Sequence, residues 1–146
     1  EIAKRRRISY EFIPTDLGPK WHPNTVKVVL EKKGCNPMTV IGSSIGGGMA
    51  TIVQIDQFPV NLSATAGLYK TFVVWHQNTE KIINKLIRIF KKSGLIFEDI
   101  QTNKLGDKAL SIINLEGHDL TLKEVLELEK IPGIETIRSL LKLEKA

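Results

Sequence analysis

His22-Pro23-Asn24-Thr25 gathers an imidazole, an amide and a hydroxyl into four residues, with the proline restricting the histidine's backbone. Such a set could bind or deprotonate a small polar substrate, because histidine titrates near neutrality and its neighbours supply donors and acceptors. No acidic residue that would orient the imidazole is identifiable. A loop in which Asn24 makes a local turn bond ahead of a strand is therefore the competing reading. A second stretch, Gly42-Ser43-Ser44-Ile45-Gly46-Gly47-Gly48-Met49, offers two hydroxyls and three consecutive glycines. A phosphate loop needs lysine and Ser/Thr after its last glycine, and Met49 and Ala50 stand there instead. A dinucleotide fingerprint needs a helix to follow, but a strand pattern follows. The run is thus expected to be a bend or bulge in a strand, or a place where another backbone or a ligand comes close. Ser43 and Ser44 lack the nucleophile elbow. His76 and His118 have no partners at metal-ligand spacing and read as surface or loop histidines. Cys35 reads as a bystander in a turn.

These residues must be held by regular elements. Glu1 to Arg7 reads as the last turns of a helix without a start signal, which makes the sequence look like a fragment or processed product. Ile8–Ile13 alternates loosely as a strand, and Pro14–Pro23 is a turn-rich loop. Thr25–Leu30 is a β-branched strand closed by the Gly34–Pro37 turn. Met38–Ile41 runs into the glycines, and Met49–Ile55 continues beyond them with period-two alternation. Asn61–Gly67 is small and polar enough to be a linker.

The second half is more regular. Leu68–Trp75 is an apolar strand. Asn78 is a plausible N-cap for a helix running to Ser93, with Ile82, Ile83, Leu86, Ile87 and Phe90 on one face and Gly94 as the terminator. Strands over Leu95–Thr102 and Lys108–Leu115 follow. Thr121-Leu122-Lys123-Glu124 is a capping box opening a second helix, with Leu122, Val125 and Leu126 expected inward. Ile134–Leu141 closes the series. Strand–helix–strand–strand–helix–strand is the ferredoxin-like βαββαβ order, one sheet with both helices on one face. Its open face needs a cover, and a second copy of the chain is the expected one.

Composition narrows the function classes. The 146 residues suffice for one medium domain or two small ones. Neither a transmembrane run nor a signal peptide is visible. The single cysteine excludes an internal disulfide framework, fits a reducing compartment and makes the cytoplasm the expected location. The formal net charge is +5, but the excess is spread out apart from Lys4-Arg5-Arg6-Arg7, which lacks interleaved aromatics. Neither nucleic acid nor membrane is expected as a partner.

Taken in order, HPNT (22–25), SSIGGG (43–48) and IDQFPV (55–60), ahead of a βαββαβ module, resemble the β chain of bacterial iron–sulfur-dependent L-serine dehydratase. The resemblance implies an α+β chain. Residues 1–60 would be the later part of an allosteric-substrate-binding-like α/β domain, 61–67 a linker, and 68–146 a ferredoxin-like ACT domain of the kind that binds amino acids at a dimer interface. It implies a lyase that converts L-serine to pyruvate and ammonia. An iron–sulfur cluster on the catalytic α chain would coordinate the serine hydroxyl while a base takes the α-proton, and no cofactor would be bound by this chain, which alone would be inactive. His22, Asn24 and Thr25 become candidates at the interface with that α chain, and Ser43, Ser44, Gly46, Gly47 and Gly48 become candidates for ligand contact.

Two departures accompany the resemblance. The family's serine-rich segment of the kind GPSSSHT is absent. The ACT turn, usually like D-R-P-G, aligns with Asn78-Thr79-Glu80-Lys81, so lysine stands where glycine would admit a ligand. Asn78, Thr79 and Lys81 are the candidate ligand residues there, with a structural or dimerising role as the alternative. Expected partners are the α chain, a second copy through the ACT domains, and L-serine or a related amino acid. The alternative function is a stand-alone ACT-type amino-acid sensor.

Overall fold

The computed structural model describes residues 2–63, 70–117 and 120–140. The chain is α+β, with two four-stranded antiparallel sheets and three helices among the described residues. After a short helix α1 (Ile2–Arg5), the first sheet is a meander of β1 (Thr25–Leu30), β2 (Met38–Gly46), β3 (Met49–Ile55) and β4 (Phe58–Ser63), paired in that order. The second contains β5 (Lys70–Gln77), α2 (Glu80–Lys92), β6 (Ile96–Leu105), β7 (Lys108–Glu116), α3 (Leu122–Glu129) and β8 (Ile134–Leu140), with strand order β6-β7-β5-β8. Among the described residues no helix is long and apolar enough to cross a membrane.

Strand β5 is buried along most of its length because both its faces are covered, with an apolar run from Phe72 to Trp75 at its centre. Phe72 and Val74 point to one side, where Ile82, Leu86 and Phe90 of α2 and Leu128 of α3 close a core with Ile113, Leu115 and Ile137. The residues between them, Val73 and Trp75, point the other way, into a second core with Leu110 and Ile112 of β7 and with Ile55, Phe58, Val60 and Leu62 of the first sheet. Alternation along a strand thus divides one apolar run between two layers. The sheet face for which a second copy was the expected cover is covered by β3 and β4 of the same chain.

Several expectations hold locally. Ser93 caps α2 and Gly94 follows with φ of 77°, as a helix terminator requires. The capping box at Thr121 and Glu124 forms in both directions. Helix α3 is further tied to β8 through Glu129, whose Oε1 accepts from Thr136 Oγ1 at 3.0 Å and from the Ile137 amide at 3.0 Å.

Other expectations are corrected. Asn61–Ser63, read as the start of a linker, are the end of β4; 64–69 lie outside the described residues. Ile8–Ile13 forms no strand: it pairs with no strand among the described residues, and the Ile8 amide donates instead to the Ala3 carbonyl of the preceding turn at 2.8 Å. The cap of α2 is Thr79 rather than Asn78. Leu126 is exposed, not inward, while Val125 packs on the helix-side core.

Candidate functional site

Pairing of β1 with β2 brings two of the sequence motifs together. The register sets Thr25 opposite Ser43, and their hydroxyls lie 2.7 Å apart. Ser43 is buried, so this hydroxyl pair is fixed, while Ser44 is exposed and its amide donates to the Asn24 carbonyl at 2.9 Å. His22 is exposed in the turn before β1, and its Nδ1 accepts the Asn24 amide at 3.1 Å. That bond uses one ring nitrogen to shape the loop, which is the local turn weighed against catalysis. The turn reading of HPNT is what this geometry shows: the Asn24 amide closes the turn onto His22, and the His22 side chain is exposed in it.

The glycines are neither bend nor bulge alone. Gly46 pairs with Met49, so Gly47 and Gly48 form a two-residue hairpin turn between β2 and β3. Gly46, Gly47 and Gly48 have φ of 90°, 62° and 76°, and a Cβ added at any of them would meet nothing within 4 Å. Backbone conformation, not close packing within the chain, is what asks for glycine. A register shift between Ser44 and Gly46 adds the expected bulge just before the turn. The result is an exposed glycine turn that follows the exposed Ser44 on β2.

The third motif lies at the other end of the same sheet. In IDQFPV, Ile55 pairs with Phe58, and Asp56 and Gln57 make the β3–β4 turn. Asp56 has φ of 51°, uncommon for a residue other than glycine. It is held there by its own polar atoms. Its amide donates to the Thr39 carbonyl at 2.7 Å, and its Oδ1 accepts the Thr39 amide at 2.8 Å. Its Oδ2 accepts from Trp75 Nε1 at 2.8 Å, a bond that joins the two sheets.

The turn Asn78–Lys81 sits at the end of β5. Asn78 Nδ2 donates to the Gly106 carbonyl at 3.0 Å and the Asn78 amide to the Asp107 carbonyl at 2.8 Å, so this residue ties β5 to the β6–β7 turn. Thr79 caps α2 without a side-chain hydrogen bond, and Lys81 is exposed on the first helical turn. A close-approach glycine does occur beside this turn, but at Gly133. A Cβ there would lie 2.5 Å from Ile82 Cδ1 and 3.1 Å from Gln77 Oε1.

The sequence reading missed His76. It is not a surface residue but is buried on β5, with Nδ1 2.6 Å from the Gln77 carbonyl and Nε2 2.8 Å from Ser111 Oγ. Ser111 Oγ lies a further 2.8 Å from Thr102 Oγ1. With Nδ1 donating to the carbonyl, Nε2 accepts from Ser111, and the imidazole is neutral. Burial holds its pKa below the ordinary value of 6.5, against the pull of the Gln77 carbonyl and of Glu135. A histidine inside an apolar run such as FVVWHQ was the available signal. His118 lies outside the described residues.

A cluster of iron and sulfur needs several thiolates. This chain has one cysteine, Cys35, which is exposed, and among the described residues no group of three His, Cys, Asp or Glu could hold a metal ion. Its own residues do not fit such a group.

No protein-family model matches the chain. It is 32% identical over 136 residues to the β chain of L-serine dehydratase from Peptoniphilus asaccharolyticus, covering 92% of this chain and 59% of that protein. It is 29% identical over 141 residues to the probable L-serine dehydratase β chain of Bacillus subtilis (strain 168), again covering 92% of this chain and 59% of the relative. Among solved structures, the C-terminal domain of the MgtC protein from Mycobacterium tuberculosis aligns with a TM-score of 0.42 at 15% identity, over 53% of this chain and 94% of that one. That likeness is too slight to argue from. The chain spans about three fifths of the length of the two curated relatives. The resemblance carried by HPNT, SSIGGG and IDQFPV therefore extends over nearly the whole chain: by sequence it is a relative of the L-serine dehydratase β chain.

Proposed function

We propose that this chain acts as β-chain material of an L-serine dehydratase, supporting conversion of L-serine to pyruvate and ammonia through contacts with a catalytic α chain. The observation that carries the proposal is the similarity to two β chains over 92% of the sequence. The α chain would hold the iron–sulfur cluster, which when bound supplies a Lewis acid for the leaving hydroxyl. This chain would supply a docking surface. Strand β1 suits that role, since it is a sheet edge with Val26, Val28, Val29 and Leu30 exposed, and it begins at the cluster of His22, Asn24, Thr25, Ser43 and Ser44. At that interface His22 would present its ring to the catalytic chain from a turn fixed by Asn24. The hydroxyl pair of Thr25 and Ser43 would keep the glycine turn in place.

The second sheet is read as an ACT-type module, because its element order and its strand order are those of a βαββαβ fold with both helices on one face. Two copies would pair through an edge of that sheet, its open face being occupied by the first sheet. Lys81 at the exposed turn argues for assembly rather than ligand binding at the Asn78–Lys81 site.

The test is reconstitution. The purified chain is expected to show no dehydratase activity. It should co-elute with an iron–sulfur dehydratase α chain and raise that chain's activity after anaerobic cluster assembly. Turnover by 1–146 alone, or failure to associate with the α chain, would defeat the proposal. A second reading, a free-standing amino-acid sensor, is favoured by the second sheet having a core of its own on the helix side. It predicts amino-acid binding without any α chain and no effect on dehydratase activity.

A further inference from the structure

Where the β3–β4 turn meets the second sheet there is a cavity of about 130 Å³, lined by Asp56, Gln57, Trp75, His76, Lys108 and Glu135 among others. We propose that this junction cavity binds a small zwitterion, an α-amino acid with a short side chain, its ammonium facing the carboxylates of Asp56 and Glu135 and its carboxylate facing Lys108. The proposal rests on the amino-acid-sensing part of the reading above and moves the site from the Asn78–Lys81 turn to the seam between the sheets.

Three observations converge on this ligand. Asp56 is preorganised: the amide, both carboxylate oxygens and the carbonyl are all engaged, the carbonyl by Gln54 Nε2 at 2.6 Å. Yet its carboxylate receives only uncharged donors, and among the described residues no cation pairs with it. A fixed carboxylate with neutral partners retains lone pairs and charge for an incoming ammonium. Across the cavity Lys108 Nζ lies 3.1 Å from Glu135 Oε1, and both side chains are about half exposed. A solvated pair of this kind is held weakly, so the two charges of a ligand can insert between them and give each ion a new partner.

The remaining walls limit what else fits. His76 has both ring nitrogens committed, to the Gln77 carbonyl and to Ser111, so neither is left to bind a ligand. The Trp75 indole gives an apolar wall for a short side chain. A lone anion would meet two carboxylates, and a lone cation would leave the Lys108 ammonium without a new partner; a ligand carrying both signs offers a partner to all three groups. The volume excludes nucleotides and peptides. The site also explains why the IDQFPV turn is built so rigidly: its position against Trp75 shapes the cavity.

The chain has two tryptophans, so its two indole N–H resonances are readily told apart by replacing Trp21, which is not in the cavity. Titration of the full chain with glycine and L-serine, followed by two-dimensional amide NMR, should move the Trp75 indole resonance and the Lys108 and Glu135 amides saturably. Ethanolamine and glycolate, which carry one charge each, should not. Lys108→Met and Glu135→Gln should each weaken binding about tenfold or more, as loss of a charged hydrogen bond does, while the rest of the spectrum confirms that the variants fold. If single-charge analogues bind equally well, the zwitterion site is overturned. If shifts map instead to Asn78–Lys81 and survive both variants, sensing stands and the cavity falls. If no amino acid moves any resonance, both fall, and the subunit role is left to the reconstitution assay.

Discussion

The two sheets treat apolar surface in opposite ways. In the second, β5 and β7 bury both faces, and Val74, Leu86, Phe90, Leu110, Ile113 and Leu115 have essentially no solvent exposure. In the first, β3 and β4 bury one face against the second sheet, while β1 is exposed along almost all of its length, with Val26 62% and Val29 52% exposed. The preceding segment is barer still, with Phe12 87% exposed. Burying apolar surface stabilises a fold, and leaving a contiguous stretch of it in water marks a surface meant for something else. The second sheet thus holds most of the buried core, while the outer half of the first leaves apolar side chains in water, and the Asp56–Trp75 hydrogen bond joins the two sheets.

This division can be broken most severely from the helix side. Phe90→Ala removes a fully buried ring that stacks on Phe72, with centroids 5.8 Å apart, and should cost about 3–5 kcal/mol, read by urea denaturation. A loss below about 1 kcal/mol would show that the second sheet is not the stabilising unit. Next comes the seam. Asp56→Ala strips acceptors from Trp75 Nε1 and the Thr39 amide and leaves a non-glycine residue at positive φ, so about 1–3 kcal/mol should be lost. Asp56→Gly, which relieves the backbone but not the hydrogen bonds, should recover only part of it.

A smaller effect separates the layers by pH. The folded state holds His76 neutral and below its ordinary value of 6.5, so the unfolded chain takes up this proton first as pH falls. Stability from this residue is therefore intact above the ordinary value and is lost progressively as pH drops from there toward the lowered folded value. His76→Gln should flatten the acid side of a plot of stability against pH; an unchanged slope would mean that the buried imidazole is not what titrates. Smallest of all should be Val28→Lys on β1. Its effect on stability should lie within about 0.5 kcal/mol, as for exposed sites generally. Association with an α chain should nevertheless weaken sharply. Strong destabilisation would show that β1 belongs to the core.

Local signals in the sequence were sufficient wherever one element could satisfy itself. The apolar face of α2, the terminating Gly94 and the capping box at Thr121 all depend on residues a few positions apart. Patterning also predicted the second sheet's βαββαβ order. Where partners come from afar, the reading was incomplete. HPNT and SSIGGG are separate words in the chain, and only the register of Thr25 against Ser43 makes them one site. Ile8–Ile13 alternates like a strand but finds no sheet. His76 read as a surface residue because nothing adjacent reveals that Ser111, 35 positions away, will bury beside it.

The sequence by itself therefore determined the helices, most of the strands and the kinship with a dehydratase β chain, because periodicity, caps and ordered motifs are properties of the linear chain. Tertiary structure alone decided which face of β5 each sheet or helix covers, that Asp56 reaches Trp75, and that Lys108, Glu135 and His76 surround one cavity. Those outcomes depend on strand register and on packing between layers, where a shift of one residue turns every side chain to the opposite face.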